Sequence, residues 1–200
     1  MEIRSATFGP FATNCYFVWQ DPGDALLIDA GYMPEAIAAK AHALNLNVSA
    51  LLITHGHGDH MLGAERLRSL LACELYFPEA DLPLATGEFL GETYPVPKPD
   101  RLLRGGEHLS LGGLAVEVLA VPGHTPGHLA LRIGEDLFSG DCLFYDSIGR
   151  TDLPGGDPET LYRSLASLCA LPAETRVHPG HGPGTTIGRE RIGNPFLIGF

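Results

Sequence analysis

Short apolar runs alternate along the chain with stretches in which apolar residues recur every three or four positions. The first pattern predicts β-strands and the second predicts helices. In the first half the predicted strands are 3–8, 14–20, 25–29, 48–53 and 74–77. Helices are predicted from Pro34 onwards and over 61–72. Pro34 suits a first helical turn, because the N–H that proline lacks has no partner there.

The second half repeats this arrangement. Its predicted strands are 108–111, 114–121, 129–133, 136–139 and 175–178, and a helical pattern over Pro158–Cys169 follows Asp157, a suitable N-cap. Strands followed by a helix, twice over, predict an α/β fold of two similar halves packed sheet on sheet with helices outside. A length of 200 residues fits a single domain spanning 1–200.

The connection over 78–104 is longer than most loops and is rich in proline and glycine. Connections of this length often carry function, so we expect it to lie on the substrate side of the molecule.

The charge of the chain limits its partners. Thirteen basic and 24 acidic residues give a net charge of −11, which repels phosphate backbones and disfavours nucleic acid. A bound pair of divalent cations would offset part of this charge. The sequence has no apolar run of about 18 residues and no signal-like start, so we expect no membrane association and a cytoplasmic location.

The four cysteines, Cys15, Cys73, Cys142 and Cys169, form no C-x-x-C pair. Their spacing suggests no disulfide framework, and we expect them to be small buried apolar residues.

Histidines and aspartates cluster in glycine-rich segments at predicted strand ends. The densest cluster is His55, His57, Asp59 and His60. Residues two apart in an extended loop point the same way, and His60 can turn towards them from a helix start. Imidazole and carboxylate suit Zn, Mn or Fe better than Ca. Four such groups within six residues exceed one open tetrahedral site and predict two adjacent metals.

Two later clusters strengthen this prediction: His124-Thr-Pro-Gly-His128 and His178-Pro-Gly-His181, with Asp141 between them. We expect His128 and His178 to support ligands or the fold rather than bind metal. His42 and His108 are expected to be ordinary surface or packing residues.

Taken in order from Thr54 to His181, these motifs resemble those of the metallo-β-lactamase superfamily. That resemblance implies a four-layer αββα sandwich. Within the superfamily, the segments 149–157 and 179–186 look like the glyoxalase II-like branch, in its short bacterial form without a C-terminal helical domain.

The resemblance also implies a ligand set. One metal would be held by His55, His57 and His124, and the second by Asp59, His60 and His181. Asp141 would bridge the two. Asp59 and Asp141 would also be catalytic, with Asp59 orienting a hydroxide. Two divalent ions per chain are expected, with Zn first and Fe or Mn as alternatives.

The implied reaction is hydrolysis of a small-molecule thioester such as S-lactoylglutathione. A thiolate, with a pKa near 8.5, leaves without a strong general acid. Arg150 falls where the family has a cation that anchors the carrier, whereas Asp152 replaces a tyrosine. Asp141 stands where the commonest zinc β-lactamases have cysteine, which disfavours a β-lactam substrate. The protein is expected to be a monomer or a small homo-oligomer.

Other functions remain open at this point. A persulfide dioxygenase would use a single iron held by two His and one Asp. A nuclease is disfavoured by the charge and the short chain, and a non-catalytic metal-binding module would leave an open ligand set unused.

Overall fold

The structure is a computed structural model that describes residues 1–89 and 91–198. Residue 90, inside the 78–104 connection, and residues 199–200, at the end of the predicted domain, lie outside the described residues.

The first half contains eight strands and three α-helices among the described residues. The strands are β1 Glu2–Phe8, β2 Thr13–Trp19, β3 Ala25–Ile28, β4 Val48–Leu52, β5 Glu74–Pro78, β6 Glu88–Phe89, β7 Glu92–Thr93 and β8 Arg101–Leu103. The helices are α1 Pro34–Ala43, α2 Gly58–Met61 and α3 Ala64–Leu71, and a 3₁₀ helix spans Glu79–Leu84.

The second half, as described, again contains eight strands, with two α-helices. The strands are β9 His108–Leu111, β10 Leu114–Ala120, β11 Leu129–Ile133, β12 Asp136–Gly140, β13 Leu143–Phe144, β14 Ser147–Ile148, β15 Arg176–Pro179 and β16 Thr185–Thr186. The helices are α4 Pro158–Cys169 and α5 Ile187–Gly193.

Two six-stranded sheets form the centre of the molecule. Their strand orders are β1-β2-β3-β4-β5-β8 and β16-β15-β12-β11-β10-β9. The first sheet is antiparallel from β1 to β3 and parallel from β3 to β8. In the second, β12 and β15 are parallel and α4 connects them, as a parallel pair requires a crossover.

Three apolar cores separate four layers. The outer core of the first half packs α1 and α3 against the first sheet through residues such as Ile37, Leu67 and Phe17. The middle core lies between the sheets, and the third packs α4 and α5 on the second sheet. Strand β2 sends Phe17 to one core and Val18 to the other, because side chains alternate across a strand. The predicted four-layer αββα sandwich is confirmed.

The predicted strands agree with the observed strands to within one residue at each end, and the helix over 158–169 is as predicted. The helix expected over 61–72 is instead two helices, α2 and α3. The chain bends between them at Gly63, whose N–H donates to Ala30 O at 2.9 Å. A Cβ on Gly63 would overlap the carbonyls of Gly31 and Ala30, so this close approach requires glycine.

Candidate metal centre

The predicted ligands lie at one edge of the two sheets, after the carboxyl ends of strands. Residues 55–60 follow β4, His124 follows β10, Asp141 follows β12 and His181 follows β15. In open α/β sheets, the crevice outside the carboxyl ends of strands is where ligands bind. The sequence could not show that the loops of both sheets meet there.

The first group of side chains is His55, His57 and His124, whose possible ligand atoms lie within 4.8 Å of one another. His57 Nδ1 is 2.9 Å from His124 Nε2. The structure thus brings together, from both halves of the chain, the three residues that the resemblance assigned to one metal.

The second group is Asp59, His60 and His181, also within 4.8 Å of one another. His181 Nε2 lies 3.1 Å from His60 Nε2 and 3.2 Å from Asp59 Oδ2. These are the residues that the resemblance assigned to the other metal.

Asp141 lies between the groups. One carboxylate oxygen is 3.3 Å from His60 Nε2, and the other is 3.3 Å from His181 Nε2 and 3.7 Å from His124 Nε2. His55, His60 and Asp141 form a third set of close ligand atoms. Gly180 permits this approach, since a Cβ there would overlap the Asp141 carboxylate. Asp141 therefore lies close to imidazoles of both groups.

The hydrogen bonds around the imidazoles fit a metal centre. Nδ1 of His60 faces Asp29 Oδ2 at 2.8 Å, Nδ1 of His124 faces Arg150 O at 2.7 Å, and Nδ1 of His181 faces Phe11 O at 3.0 Å. Each acceptor is an oxygen without a proton, so each Nδ1 must donate. In the neutral rings the three Nε2 atoms then carry converging lone pairs, and these are the tautomers that metal-binding histidines need.

Within the ligand cluster, two buried polar atoms, His55 Nε2 and Asp141 Oδ1, also have no hydrogen-bond partner among the described residues. Leaving such atoms unsatisfied costs free energy, and a cation between the groups would satisfy both. The residues present therefore fit a divalent metal pair.

The pKa shifts divide the cluster in two. Burial lowers the pKa of His57 to about 4, helped by the neighbouring His124, and burial also lowers the pKa values of His55 and His124. Burial alone would lower the pKa of His181, but hydrogen bonds to Asp141 and Asp59 raise it to about 9. The first group is thus neutral at pH 7, whereas carboxylates hold a proton in the second.

Asp29, the residue directly after β3, stabilises the segment from Thr54 to His60 through hydrogen bonds. Its carboxylate accepts hydrogen bonds from the Thr54 N–H at 2.8 Å, the Thr54 hydroxyl at 2.9 Å and His60. The residue is buried and has a φ of 60°. Sequence reasoning placed Asp29 in a strand and missed this role; an aspartate followed by Ala-Gly at the end of an apolar run was the available signal.

Asp81 is a second supporting carboxylate that sequence reasoning missed. It is fully buried and accepts from the Gly56 N–H at 2.8 Å, the Gly127 N–H at 2.6 Å and the Thr125 hydroxyl at 2.6 Å. Gly56 lies between His55 and His57, and Gly127 follows His124 by three residues. Asp81 therefore fixes the loops that carry the first group relative to one another.

Strand β2 holds the last histidine loop. Asn14 Nδ2 donates to Pro179 O at 3.0 Å and to Gly182 O at 2.9 Å, and the Tyr16 hydroxyl donates to Pro179 O at 2.6 Å. His181 also forms an isolated β-bridge with Thr13. The first half of the chain thus positions a side chain of the second.

The remaining histidines follow the sequence expectation. His128 Nε2 accepts the Asp141 N–H at 3.0 Å, and His178 Nε2 lies 2.8 Å from Asp136 Oδ1. Both support other groups from outside the close ligand sets. His42 and His108 are exposed. All four cysteines are buried and free, as expected.

A cavity of about 630 Å³ opens over the cluster. It is lined by Phe11, His57, Asp59, His124, Asp141, Phe144, Ile148, Arg150, Leu153 and His181. The lining contains no described residue of the 78–104 connection, and the expectation of a substrate-side loop stays a prediction. The connection contacts the site through Asp81, which accepts hydrogen bonds from the Gly56 and Gly127 N–H groups.

Arg150 lies on the rim of the cavity and is exposed. Its guanidinium donates two hydrogen bonds of 2.7 Å to the Asp152 carboxylate. The Arg150 hydrogen bond holds the pKa of Asp152 down at about 2. The arginine expected to anchor the carrier and the aspartate expected in place of a tyrosine are therefore paired with each other.

Among the described residues, no helix is both long and apolar enough to cross a membrane.

Known proteins resemble this chain over nearly its whole length. The hydroxyacylglutathione hydrolase GloC of Haemophilus influenzae is 38% identical, over 98% of each chain. A crystal structure of TTHA1623 in a di-iron-bound form is 44% identical, covers 97% of this chain and all of that one, and has a TM-score of 0.88.

Two further solved structures widen the range of described activities. The BLEG-1 B3 metallo-β-lactamase is 34% identical, covers 99% of this chain and all of that one, and has a TM-score of 0.93. ETHE1 from Myxococcus xanthus is 29% identical, covers all of this chain and 85% of that one, and has a TM-score of 0.84.

The family model for the metallo-β-lactamase superfamily matches residues 8–181, which include every member of the ligand cluster. The fold, the convergent imidazoles and this match lead to one conclusion: the chain belongs to the metallo-β-lactamase superfamily of metallo-hydrolases.

Proposed function

We propose that this protein hydrolyses thioesters, with S-lactoylglutathione as the reference substrate, at a centre of two divalent cations. The observation that carries the proposal is the position of Asp141. Its carboxylate lies within 3.3 to 3.7 Å of imidazoles from both groups, and Oδ1 has no hydrogen-bond donor among the described residues. This arrangement supports a bridging role for Asp141 between two cations.

In this proposal His55, His57 and His124 hold one cation, and Asp59, His60 and His181 hold the other. Zn is the first expectation, with Fe or Mn as alternatives. When bound, such a pair supplies hydroxide at neutral pH and stabilises the oxyanion of the attacked carbonyl. We assign the activity to the single domain predicted over 1–200, acting as a monomer or small homo-oligomer.

The side chains of the protein complete the chemistry. Asp59 reaches into the cavity and accepts a long hydrogen bond of 3.5 Å from the Thr13 hydroxyl, so its carboxylate is available to orient the attacking water. Apolar side chains form the walls of the cavity beside the ligands and offer few hydrogen-bond partners to water there. Arg150 lies at the rim, where it can contact the thiol carrier.

The leaving group favours a thioester over an amide. Apart from the proposed ligands, the lining of the cavity among the described residues contains no acid that could protonate an amine. A thiolate, with a pKa of about 8.5, needs no such acid. The likeness to a hydroxyacylglutathione hydrolase over 98% of both chains supports the same choice.

The test is metal analysis of the purified protein combined with assays on S-lactoylglutathione and glutathione persulfide. We expect two metals per chain and release of thiol without oxygen uptake. The matched control for the ligand variant His57→Ala is His42→Ala, which removes an exposed imidazole on α1. One iron per chain with oxygen consumption on the persulfide would overturn the proposal.

That outcome defines the second candidate function, a persulfide dioxygenase with a single iron. One close ligand set, His55, His60 and Asp141, contains the two His and one Asp expected for such a site. The likeness to ETHE1 of Myxococcus xanthus keeps this candidate in the test.

A further inference from the structure

The walls of the cavity are apolar. Phe11, Phe144, Ile148 and Leu153 line it above the ligand cluster. Phe11 is 45% exposed, and the other three are half-buried, so each offers apolar surface to a ligand. A volume of about 630 Å³ lies within the usual range for small-molecule sites. A lactoyl group is small and carries a hydroxyl, so it would leave much of this apolar surface without contact.

The charge at the rim is already balanced. Arg150 is the one lysine or arginine in the lining among the described residues, and both of its hydrogen bonds of 2.7 Å go to Asp152. A carrier with two carboxylates would compete with Asp152 for this cation. The rim therefore gives an anionic carrier little advantage over a neutral one.

The apolar wall is held in place before a substrate arrives. Phe144 and Ile148 belong to the β13–β14 hairpin, whose turn residue Asp146 accepts from Arg189 at 2.8 and 2.9 Å. The Asp146 N–H donates to the buried Glu190 carboxylate at 2.9 Å. Because α5 fixes the hairpin, little ordering cost opposes burial of an apolar group against it.

We propose that this cavity selects thioesters with a medium-length apolar acyl group, aliphatic or aromatic, over those with a small hydroxyacyl group such as lactoyl. The inference rests on the proposed function and names its substrate class. The reaction is the same: water supplies the oxygen of a new C–O bond, the C–S bond breaks, and a carboxylate, a thiol and one proton result. Each methylene buried against the wall contributes roughly fourfold to binding.

The experiment compares kcat/KM for hexanoyl and lactoyl thioesters, each on glutathione and on the uncharged carrier N-acetylcysteamine, using the metal-loaded protein. This design separates the acyl group from the carrier. We expect hexanoyl to exceed lactoyl by at least about tenfold on both carriers. Equal or higher values for lactoyl on both carriers would overturn the inference while leaving thioester hydrolysis intact.

A pair of variants tests the wall directly. Ile148→Ser should reduce the hexanoyl-to-lactoyl ratio of kcat/KM by at least about fivefold, because a polar group replaces part of the wall. The matched control is Ile192→Ser, the same change at a side chain that is 88% exposed on α5, and it should leave the ratio unchanged. Equal ratios in Ile148→Ser and the wild type would contradict the inference.

Binding provides a readout that needs no turnover. Calorimetry with S-hexyl and S-(2-hydroxypropyl) thioethers of N-acetylcysteamine should show tighter binding of the hexyl compound, and weaker selectivity in Ile148→Ser. If no thioester is hydrolysed, the proposed function fails, and the thioethers alone then decide whether the cavity selects apolar groups. Equal affinities would overturn that selectivity.

Discussion

Two buried aspartates lie at opposite ends of strand β12, and their surroundings differ. At its start, Asp136 accepts two hydrogen bonds of 2.7 Å from the Arg176 guanidinium and lies 2.8 Å from His178 Nε2. Directly after its end, Asp141 is surrounded by imidazoles, and Oδ1 has no hydrogen-bond donor among the described residues. Short hydrogen bonds satisfy both oxygens of Asp136, whereas the oxygens of Asp141 face imidazole nitrogens at 3.3 Å or more.

The difference separates stability from function. A buried carboxylate with all its donors in place stabilises the fold, whereas an unsatisfied one is costly and persists where a ligand uses it. Asp136 should therefore matter for folding and Asp141 for metal binding. Four predictions test this division, and a fifth concerns the exposed Arg150–Asp152 pair.

The largest effect should follow removal of Asp141. We expect Asp141→Ala, like His57→Ala, to lose bound metal and at least about 100-fold in rate, because the hydroxide supplied by the metals is lost. Metal content by mass spectrometry and initial rates measure this. Near-normal turnover with retained metal would contradict the assignment.

Asp81 combines features of the two aspartates. Its carboxylate has its hydrogen-bond donors in place, as in Asp136, yet those donors belong to the loops that carry the first group of ligands. In Asp81→Asn, an amide cannot accept from all of Gly56, Thr125 and Gly127, so one N–H loses its acceptor. We expect the metal content to fall towards one per chain and activity to fall by about 10- to 100-fold. Excess metal should restore part of the activity. Full metal content with normal activity would show that Asp81 does not position the first group.

Asp136 should show the opposite behaviour. We expect Asp136→Asn to lower the free energy of unfolding by about 1.5–3 kcal/mol, the usual contribution of hydrogen bonds to charged groups, with metal content and rate per folded molecule unchanged. Urea unfolding measures the stability. A loss of metal in this variant would contradict the assignment of Asp136 to folding and of Asp141 to metal binding.

The same residue gives a pH dependence. Burial alone would raise the pKa of Asp136, but Arg176 and His178 hold it below its ordinary value. Such a group stabilises the fold above its unfolded pKa, about 3.9, and loses this stabilisation as the pH falls through its folded pKa. Below about pH 4 the wild type should therefore lose stability more steeply than Asp136→Asn. Parallel acid-unfolding curves would contradict this account.

The smallest effect is expected at the exposed Arg150–Asp152 pair. Arg150→Ala should raise KM for S-lactoylglutathione a few-fold and change kcat by less than about twofold, because a partly neutralised cation contributes mainly to ground-state binding. Steady-state kinetics measure both constants. A fall in kcat without a rise in KM would assign Arg150 to catalysis, or to the support of His124 through its backbone.

The sequence predicted what depends on local pattern. The strands, the helix over 158–169 and the order of the histidine motifs follow from neighbouring residues, and the resemblance supplied the grouping of the ligands. The ligand roles and the single-domain extent stay predictions, whereas the four-layer sandwich is confirmed.

What the sequence did not reveal depends on contacts between distant segments. Asp81 meets Thr125 across 44 positions, and Asn14 meets Pro179 across 165. No periodicity records such contacts. The β13–β14 hairpin was missed for another reason: its strands have two residues each, too few for a pattern. The break in the helix over 61–72 arises from the approach of Gly63 to Ala30, which propensity does not encode.

The hydrogen bonds between β2 and the loop that carries His181 have a consequence for how the protein folds. The Asn14 N–H donates to Gly180 O, and His60 meets His181 across 121 positions, so both ends of the chain must be in place before the cluster exists. Contacts this far apart in sequence close large loops and form slowly. We therefore expect the ligand cluster to be among the last parts of the molecule to assemble, with uptake of metal as the closing event of folding rather than its nucleus.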